Sequence, residues 1–566
     1  MYASQPSPSV AHRQDQVFPV LSAAQIARLS RFGHARAYAA GEALFVAGEI
    51  GPGMVILREG QVEIVQRNGL SRGAVIARQG PGQFIAEISQ LAGRPALVDV
   101  RATEPVEAVV IPGQSLRTLL VEEAELGERI TRALILRRVA LIESGTSGAV
   151  LVGAATSPTI LRLQTFLRRN GHPYHHVDPA ADAHSCPLIA SFELGPQEAL
   201  FVCADGSILR NPTEAEMARC LGLLDTEERN ELYDVAIIGA GPAGLATAVY
   251  AASEGLRVVV CDCRGPGGQA GASARIENYL GFPTGITGQA LAGRAFVQAQ
   301  KFGAEMLIPT EVTGLHYICE DDRFVWHVAL NDGRRVRSRT VVIATGARYR
   351  RLNVAGMDDY EGRGIWYWAS SLEARICQQQ EVALVGGGNS AGQAAVYLAA
   401  HAERVLMLVR GEGLAATMSR YLIDRIAATP NIELMPHREV TGLDGDPGTG
   451  LSAITWTHRH DGSHEQRGIR NLFLFAGAEP ETSFLGSSTI ATDGSGFVVT
   501  GEAARPPGVD GVMREPLEAS LPGAFAVGDV RSGSVKRVGG AIGEGAAVVA
   551  QIHRHLARQQ QAAALH

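Results

Sequence analysis

The sequence predicts an α/β chain: two nucleotide-binding Rossmann-type domains, preceded by a β-roll and a small α/β domain. Three observations predict it. Two glycine fingerprints, Gly239-Ala-Gly-Pro-Ala-Gly244 and Gly386-Gly-Gly-Asn-Ser-Ala391, each stand in a strand, turn, helix, strand frame. From Val20 to Ser144, short β-rich runs alternate with glycine turns. Between these regions the pattern reads strand, helix, strand, two further strands and a helix. At 566 residues and 46% hydrophobic content, the chain can bury several separate cores.

Lys plus Arg (51) against Asp plus Glu (58) leaves a net charge of −7, and no run of five like charges forms a nucleic-acid arm. No apolar stretch approaches the roughly eighteen residues of a spanning helix. Met1 to Val17 lacks a hydrophobic signal core, so the chain is expected to be cytoplasmic. The cysteines at 186, 203, 220, 261, 263, 319 and 377 are odd in number and scattered. They are expected to be reduced, as small buried side chains rather than a disulfide framework.

Residues 1–19 are expected to be a disordered leader. Residues 20–144 carry Ala43-Leu-Phe-Val46, Met54-Val-Ile-Leu57, Gln61-Val-Glu-Ile-Val65, Ala74-Val-Ile-Ala77 and Val106-Glu-Ala-Val-Val-Ile111. Gly41, Gly48, Gly60 and Gly82 punctuate them, as a rolled antiparallel sheet requires. Beyond Ser115, Leu119, Leu126, Ile130, Leu134 and Leu141 recur at helical multiples and predict one closing helix. Gly41-Glu-Ala-Leu-Phe-Val-Ala-Gly-Glu49 and Leu57-Arg-Glu-Gly-Gln-Val-Glu-Ile64 resemble the cyclic nucleotide-binding domain. The resemblance sets a phosphate cassette at Gly82-Gln-Phe-Ile-Ala-Glu-Ile-Ser89 and Arg94-Pro-Ala96, with Glu87 on a ribose hydroxyl and Arg94 on a cyclic phosphate. The loop from Glu87 to Arg94 is short, so a cyclic-nucleotide receptor and a purely structural roll both stand.

Residues 148–224 read as strand Ala149-Val-Leu-Val152, a helix from Pro158 to Arg169, strand Tyr174-His-His-Val177 and strand Leu200-Phe-Val-Cys203. An Asp205-Gly206 hairpin, Ser207-Ile-Leu-Arg210 and a helix from Pro212 complete the unit. This order resembles a thioredoxin or glutaredoxin fold. Such a fold implies a reactive cysteine at the first helix N-terminus, where the dipole lowers thiol pKa. Ala155-Thr-Ser-Pro158 stands there instead, so the unit is expected to be redox-silent.

The remainder divides into residues 233–350, a first dinucleotide unit; 351–476, a second; 477–556, a return to the first; and 557–566, a frayed tail. Val235-Ala-Ile-Ile238 leads into the first fingerprint, and Arg257-Val-Val-Val-Cys-Asp262 is the next strand. Gly239 allows the tight turn, Gly241 lets amides approach a pyrophosphate, and Gly244 permits close packing of the helix that Pro242 and Ala243 begin. Asp262 suits the adenosine ribose hydroxyls. In the second unit Glu381-Val-Ala-Leu-Val385 leads into Gly386, Gly388, Asn389, Ser390 and Ala391. Arg410 takes the ribose position, where a guanidinium favours the extra phosphate of NADPH. Two such folds imply that one dinucleotide delivers hydride to another, NADPH to FAD.

Residues 233 to about 556 resemble thioredoxin reductase. The matches are Gly268-Gln269, Ile276-Glu-Asn-Tyr-Leu-Gly-Phe-Pro283, Ala344-Thr-Gly346 and Ala526-Val-Gly-Asp529. The resemblance implies FAD held by Gly268, Thr345, Gly346 and Gly528, with Gln269 and Asn278 at the flavin. Asp529 would hold the ribityl-pyrophosphate portion, and Arg537 with Val538 would approach the isoalloxazine. The redox Cys-x-x-Cys of that family falls on Trp368 and Ser371, and the sequence contains no Cys-x-x-Cys. A serine hydroxyl forms no disulfide, so no catalytic side chain is assigned beyond the flavin itself.

The expected function is therefore an FAD-dependent NADPH oxidoreductase passing electrons to an outside acceptor, under cyclic-nucleotide regulation. A partner's disulfide, a ferredoxin-like protein, a quinone and oxygen are the candidate acceptors. The alternative is a cyclic-nucleotide-responsive redox sensor with a weakly active flavin module. The helix around Leu126 to Leu141 and the resemblance both suggest a homodimer. His175-His176 and His458-x-His460 are too short and carboxylate-poor for a metal, and none is expected.

Overall fold

The computed structural model describes residues 13–68, 71–86, 90–91, 93–144, 148–180, 194–195, 197–203, 206–224, 228, 230–320, 323–505 and 514–564. At the front, two four-stranded antiparallel sheets face each other. One contains His34–Tyr38, Val106–Ile111, Met54–Glu59 and Phe84–Ile85, and the other Ala43–Phe45, Asp99–Ala102, Val62–Asn68 and Ser71–Gln79. Val55, Leu57, Val62, Val100 and Val110 fill the space between them.

The closing helix is two helices, Gly113–Glu122 and Ala124–Ser144. Glu123 breaks the run because its backbone leaves helical geometry, φ −99° and ψ 75°, and its buried carboxylate receives the guanidinium groups of Arg28 and Arg31. Nor is all of the leader disordered. Gln14–Val17 forms a helical turn, Val17 is buried, and Arg137 donates to Val17 O at 2.9 Å while lying over Phe18 and Phe84. Residues 1–12 lie outside the described residues. Val297, from a helix of the first dinucleotide unit, joins the apolar cluster of Leu116, Leu120 and Ile130.

The middle unit has strand order Tyr174–Val177, Ala149–Val152, Leu200–Val202, Ile208–Arg210, the first pair parallel and the rest antiparallel. Its first helix spans Pro158–Arg169, with proline in the first turn, where its missing N–H is no loss. The second begins at Glu214 instead of Pro212, because Thr213 and Glu216 form a capping box. Expectation and structure part at the cysteines: Cys203 is disulfide-bonded to Cys220. Strand end and helix end bring their Cα atoms to 6.0 Å, within bonding reach. Cys186 and Asp205 lie outside the described residues.

His172, in the same unit, is buried with Nδ1 2.9 Å from Pro173 O. Burial, followed by the charge of Arg138, pushes its pKa down to about 3. The folded state thus refuses a proton that the unfolded chain accepts near pH 6.5. Stability from the neutral ring is complete above about pH 6.5 and is lost as pH falls toward 3. Thermal melts between pH 6.5 and 4 should show the wild type losing up to about 1.4 kcal/mol per pH unit more than His172→Leu.

The first dinucleotide unit is a seven-stranded sheet. Glu305–Leu307, Val258–Cys261, Leu232–Ile238 and Arg335–Ile343 run parallel, and Arg323–Leu330 with Val312–Glu320 continue antiparallel. Ala524–Ala526 returns beside Arg335–Ile343. The second is a five-stranded parallel sheet ordered Ile365–Trp366, Leu472–Leu474, Glu381–Val385, Arg404–Val409, Ile432–Pro436. The last helix runs Val538–Ala564, so the segment expected to fray continues it; glutamine and alanine are strong helix formers. Among the described residues no helix is long and apolar enough to cross a membrane.

Candidate functional site

The first fingerprint turns between strand Leu232–Ile238 and helix Pro242–Ser253. Gly239 has φ +108°, and a Cβ there would collide with Ala344 O. A Cβ on Gly244 would collide with Gly239 O, so the helix packs against the turn only because that residue is glycine. Gly241 differs. Its φ of −73° suits any residue, and a Cβ would meet only Gly268 Cα, at 3.9 Å. The turn leaves a cradle at the positive end of a helix, which is the chemistry a diphosphate needs. Asp262 is anchored beside it: Oδ2 accepts from Ala240 N at 2.9 Å, and Oδ1 accepts from Arg264 N and Gly265 N, both at 2.9 Å. A carboxylate held in this way keeps lone pairs for ribose hydroxyls.

Gly239, Asp262, Gly268, Gln269 and Thr345 line one cavity of about 810 Å³, within the size of known cofactor pockets. Gln269 donates to Ala347 O, and Thr345 Oγ1 donates to Glu481 O at 2.7 Å. Gly346 has φ +73° in the same turn. The returning segment closes on the fingerprint helix, where a Cβ on Gly528 would come 2.9 Å from Ala243 Cβ. Asp529 follows, its carboxyl pKa raised by burial, with Lys536 Nζ donating to its carbonyl at 3.0 Å. Asn278 is exposed and lines neither this cavity nor the next. Gly346, Gly528 and Asp529 also line neither cavity, while Gly239, Asp262, Gly268, Gln269 and Thr345 line the first and fit FAD.

A second cavity of about 1050 Å³ gathers Gly386, Gly388, Asn389, Ser390, Ala391 and Arg410. A Cβ on Gly388 would have no neighbour within 4 Å, again an open cradle at a helix start. Asn389 is committed to structure: Nδ2 donates to Ser419 Oγ at 2.9 Å and Oδ1 accepts from Ser419 N at 2.7 Å. Arg537 and Val538, both expected at the isoalloxazine, do not line the first cavity: Arg537 lines this second one, and Val538, at the start of the last helix, lines neither. Tyr349 and Phe475 line both cavities, their rings edge to face at 5.0 Å, and burial raises the Tyr349 pKa. Sequence reasoning missed this pair; the one signal is that Tyr349 closely follows Ala344-Thr-Gly346.

Trp368, at the position where the resemblance sets a thiol, lines the first cavity. Its Nε1 donates to Glu373 Oε1 at 3.0 Å, while Ser370 N donates to Glu373 Oε2 at 2.9 Å and Ser370 caps the helix Ser371–Ile376. The buried Glu373 carboxylate organises this segment. Cys377 is buried beyond it, its thiol pushed up to about 12 by burial. Cys261 and Cys263 flank Asp262 and line the first cavity with it. Among the described residues no group of three His, Cys, Asp or Glu side chains is placed to hold a metal.

In the front roll, Glu87 lies outside the described residues. Arg94 Nη2 donates to Ile308 O at 3.1 Å, in the first dinucleotide unit. Thr310, two residues further, donates its N–H to Asp262 O at 2.7 Å.

Compared with known proteins, residues 233–545 match the family described as pyridine nucleotide-disulphide oxidoreductase, and residues 35–123 match the cyclic nucleotide-binding domain. A thioredoxin reductase of Listeria innocua is 31% identical over 315 residues, covering 56% of this chain and 91% of its own length. NADPH-dependent thioredoxin reductase 3 of Arabidopsis thaliana is 30% identical over 364 residues, covering 62% of this chain and 65% of its own. Among solved structures, Lactococcus lactis thioredoxin reductase in its FR conformation matches with a TM-score of 0.51 at 27% identity, covering 58% of this chain and 99% of that one.

Proposed function

Because the chain belongs to the pyridine nucleotide-disulphide oxidoreductase family, we propose that it is a cytoplasmic FAD-dependent NADPH oxidoreductase that passes electrons to an outside acceptor without an internal dithiol. One observation carries this reading: two dinucleotide-sized cavities share Tyr349, Ser390 and Phe475, while the neighbouring segment from Trp368 holds an indole on Glu373. Bound FAD would supply two-electron acceptance from NADPH and onward donation.

The chain's own residues bind and orient. Gly241 and Gly268 leave room for a diphosphate at a helix N-terminus, and Asp262 holds the ribose end. Arg410 offers a charge to the NADPH ribose phosphate. A protein disulfide, a ferredoxin-like protein, a quinone and oxygen are the acceptors to test. A cyclic nucleotide in the front roll would engage Arg94, whose bond to Ile308 O links that roll to the strand end beside Asp262.

The purified protein should be yellow, and anaerobic NADPH should bleach it. Each acceptor is then offered singly, with and without cyclic AMP or cyclic GMP. Return of the yellow colour with one of them is expected. If none restores it, the enzyme reading is overturned in favour of a cyclic-nucleotide-responsive sensor.

A further inference from the structure

We propose that Arg169, from the middle unit and outside the matched family region, binds the diphosphate of FAD and completes the cofactor cavity from a third domain. The proposal rests on the FAD reading above.

Arg169 ends the helix Pro158–Arg169, and that helix end is fastened to the first dinucleotide unit. Asn170 Nδ2 donates to Arg264 O at 2.8 Å, Gln289 Nε2 donates to Arg168 O at 2.9 Å, and a Cβ on Gly265 would stand 3.2 Å from Arg169 Cβ. The side chain lines the same cavity as Gly239, Asp262 and Gly268.

Charge pairing inside the cavity sets Arg169 and Arg264 apart from the other arginines. Arg275 and Arg425 pair with Glu277, Arg348 with Glu481, and Arg351 with Glu361. Neither Arg169 nor Arg264 makes an ion pair within 4 Å among the described residues. Desolvation, and then the like charge of Arg264, lowers the Arg169 pKa. Asp262 and Glu214 act on Arg169 only from beyond ion-pair distance, so two arginines with no carboxylate within 4 Å stand beside a cradle open to a diphosphate.

The guanidinium is also braced. It lies over the Trp368 ring, 5.5 Å from the centroid, and Trp368 is in turn fixed by its bond to Glu373. The indole at the position expected for a thiol therefore braces the arginine. An arginine restrained in this way loses less conformational freedom on binding.

FAD, ADP and adenosine are titrated into flavin-stripped full-length wild type, Arg169→Gln and Arg169→Lys, followed by flavin fluorescence and calorimetry, with thermal melts of each protein. Arg169→Gln should weaken FAD and ADP at least about tenfold and leave adenosine unchanged. Arg169→Lys should fall between, keeping the charge but losing the planar fork. FAD and ADP affinities of Arg169→Gln within about twofold of wild type, or an equal loss for adenosine, would overturn the proposal. A wild type that takes up no FAD would overturn the flavoenzyme reading itself.

Discussion

Gly241→Val should give a folded but colourless protein. The backbone at residue 241, φ −73° and ψ −176°, is open to a β-branched side chain. The new Cβ would meet only Gly268 Cα at 3.9 Å, an ordinary van der Waals contact that the fold accommodates. The added methyl groups instead enter the space from which amides of the helix start would reach a diphosphate. FAD content should fall below about a tenth of wild type while Tm stays within about 4 °C. Gly244→Val is the contrast. Its Cβ would collide with Gly239 O, so that variant should lose the fold along with the colour. Absorbance of the flavin band per chain and a melting curve separate the two.

Thioredoxin should draw no NADPH consumption from the wild type above the no-acceptor background. Disulfide exchange needs an attacking thiolate, and the segment from Trp368 carries an indole and serine hydroxyls. Of the cysteines nearby, Cys377 is buried with its thiol pushed up to about 12, Cys261 is buried in the strand before Asp262, and Cys263, though exposed, has its thiol pushed up to about 11, chiefly by desolvation. None of the three supplies a thiolate at neutral pH from an accessible position. The double substitution Trp368→Cys with Ser371→Cys restores the sulfur chemistry, and NADPH-treated samples of it should show two more reactive thiols than treated wild type. Steady thioredoxin turnover by the wild type would refute the reading of this segment.

Signals that are local in the chain are legible in this sequence. Proline at the helix start and the apolar spacing after it bound Pro158–Arg169. Glycine spacing locates both turns, and the six residues assigned to NADPH line one cavity. What is hidden depends on partners far along the chain. The break at Glu123 follows from arginines 95 and 92 residues away, and no periodicity announces it. Cys203 finds Cys220 because a strand end meets a helix end, which spacing in an odd set of cysteines does not reveal. Arg169 reads as an ordinary helix-terminal cation until Asn170 is seen bonded to Arg264 across 94 residues. Asn278 shows the reverse: its motif is recognisable, yet the side chain is exposed and lines neither cavity.

In the proposed reaction, electrons entering from NADPH come to rest on the flavin and on no cysteine pair. An anaerobic titration of the purified protein with NADPH, followed by flavin absorbance and closed with a thiol count, measures this directly. The expected end point is about two electrons per FAD, with Cys203–Cys220 still bonded. Uptake of about four electrons per FAD, with two new thiols, would contradict it.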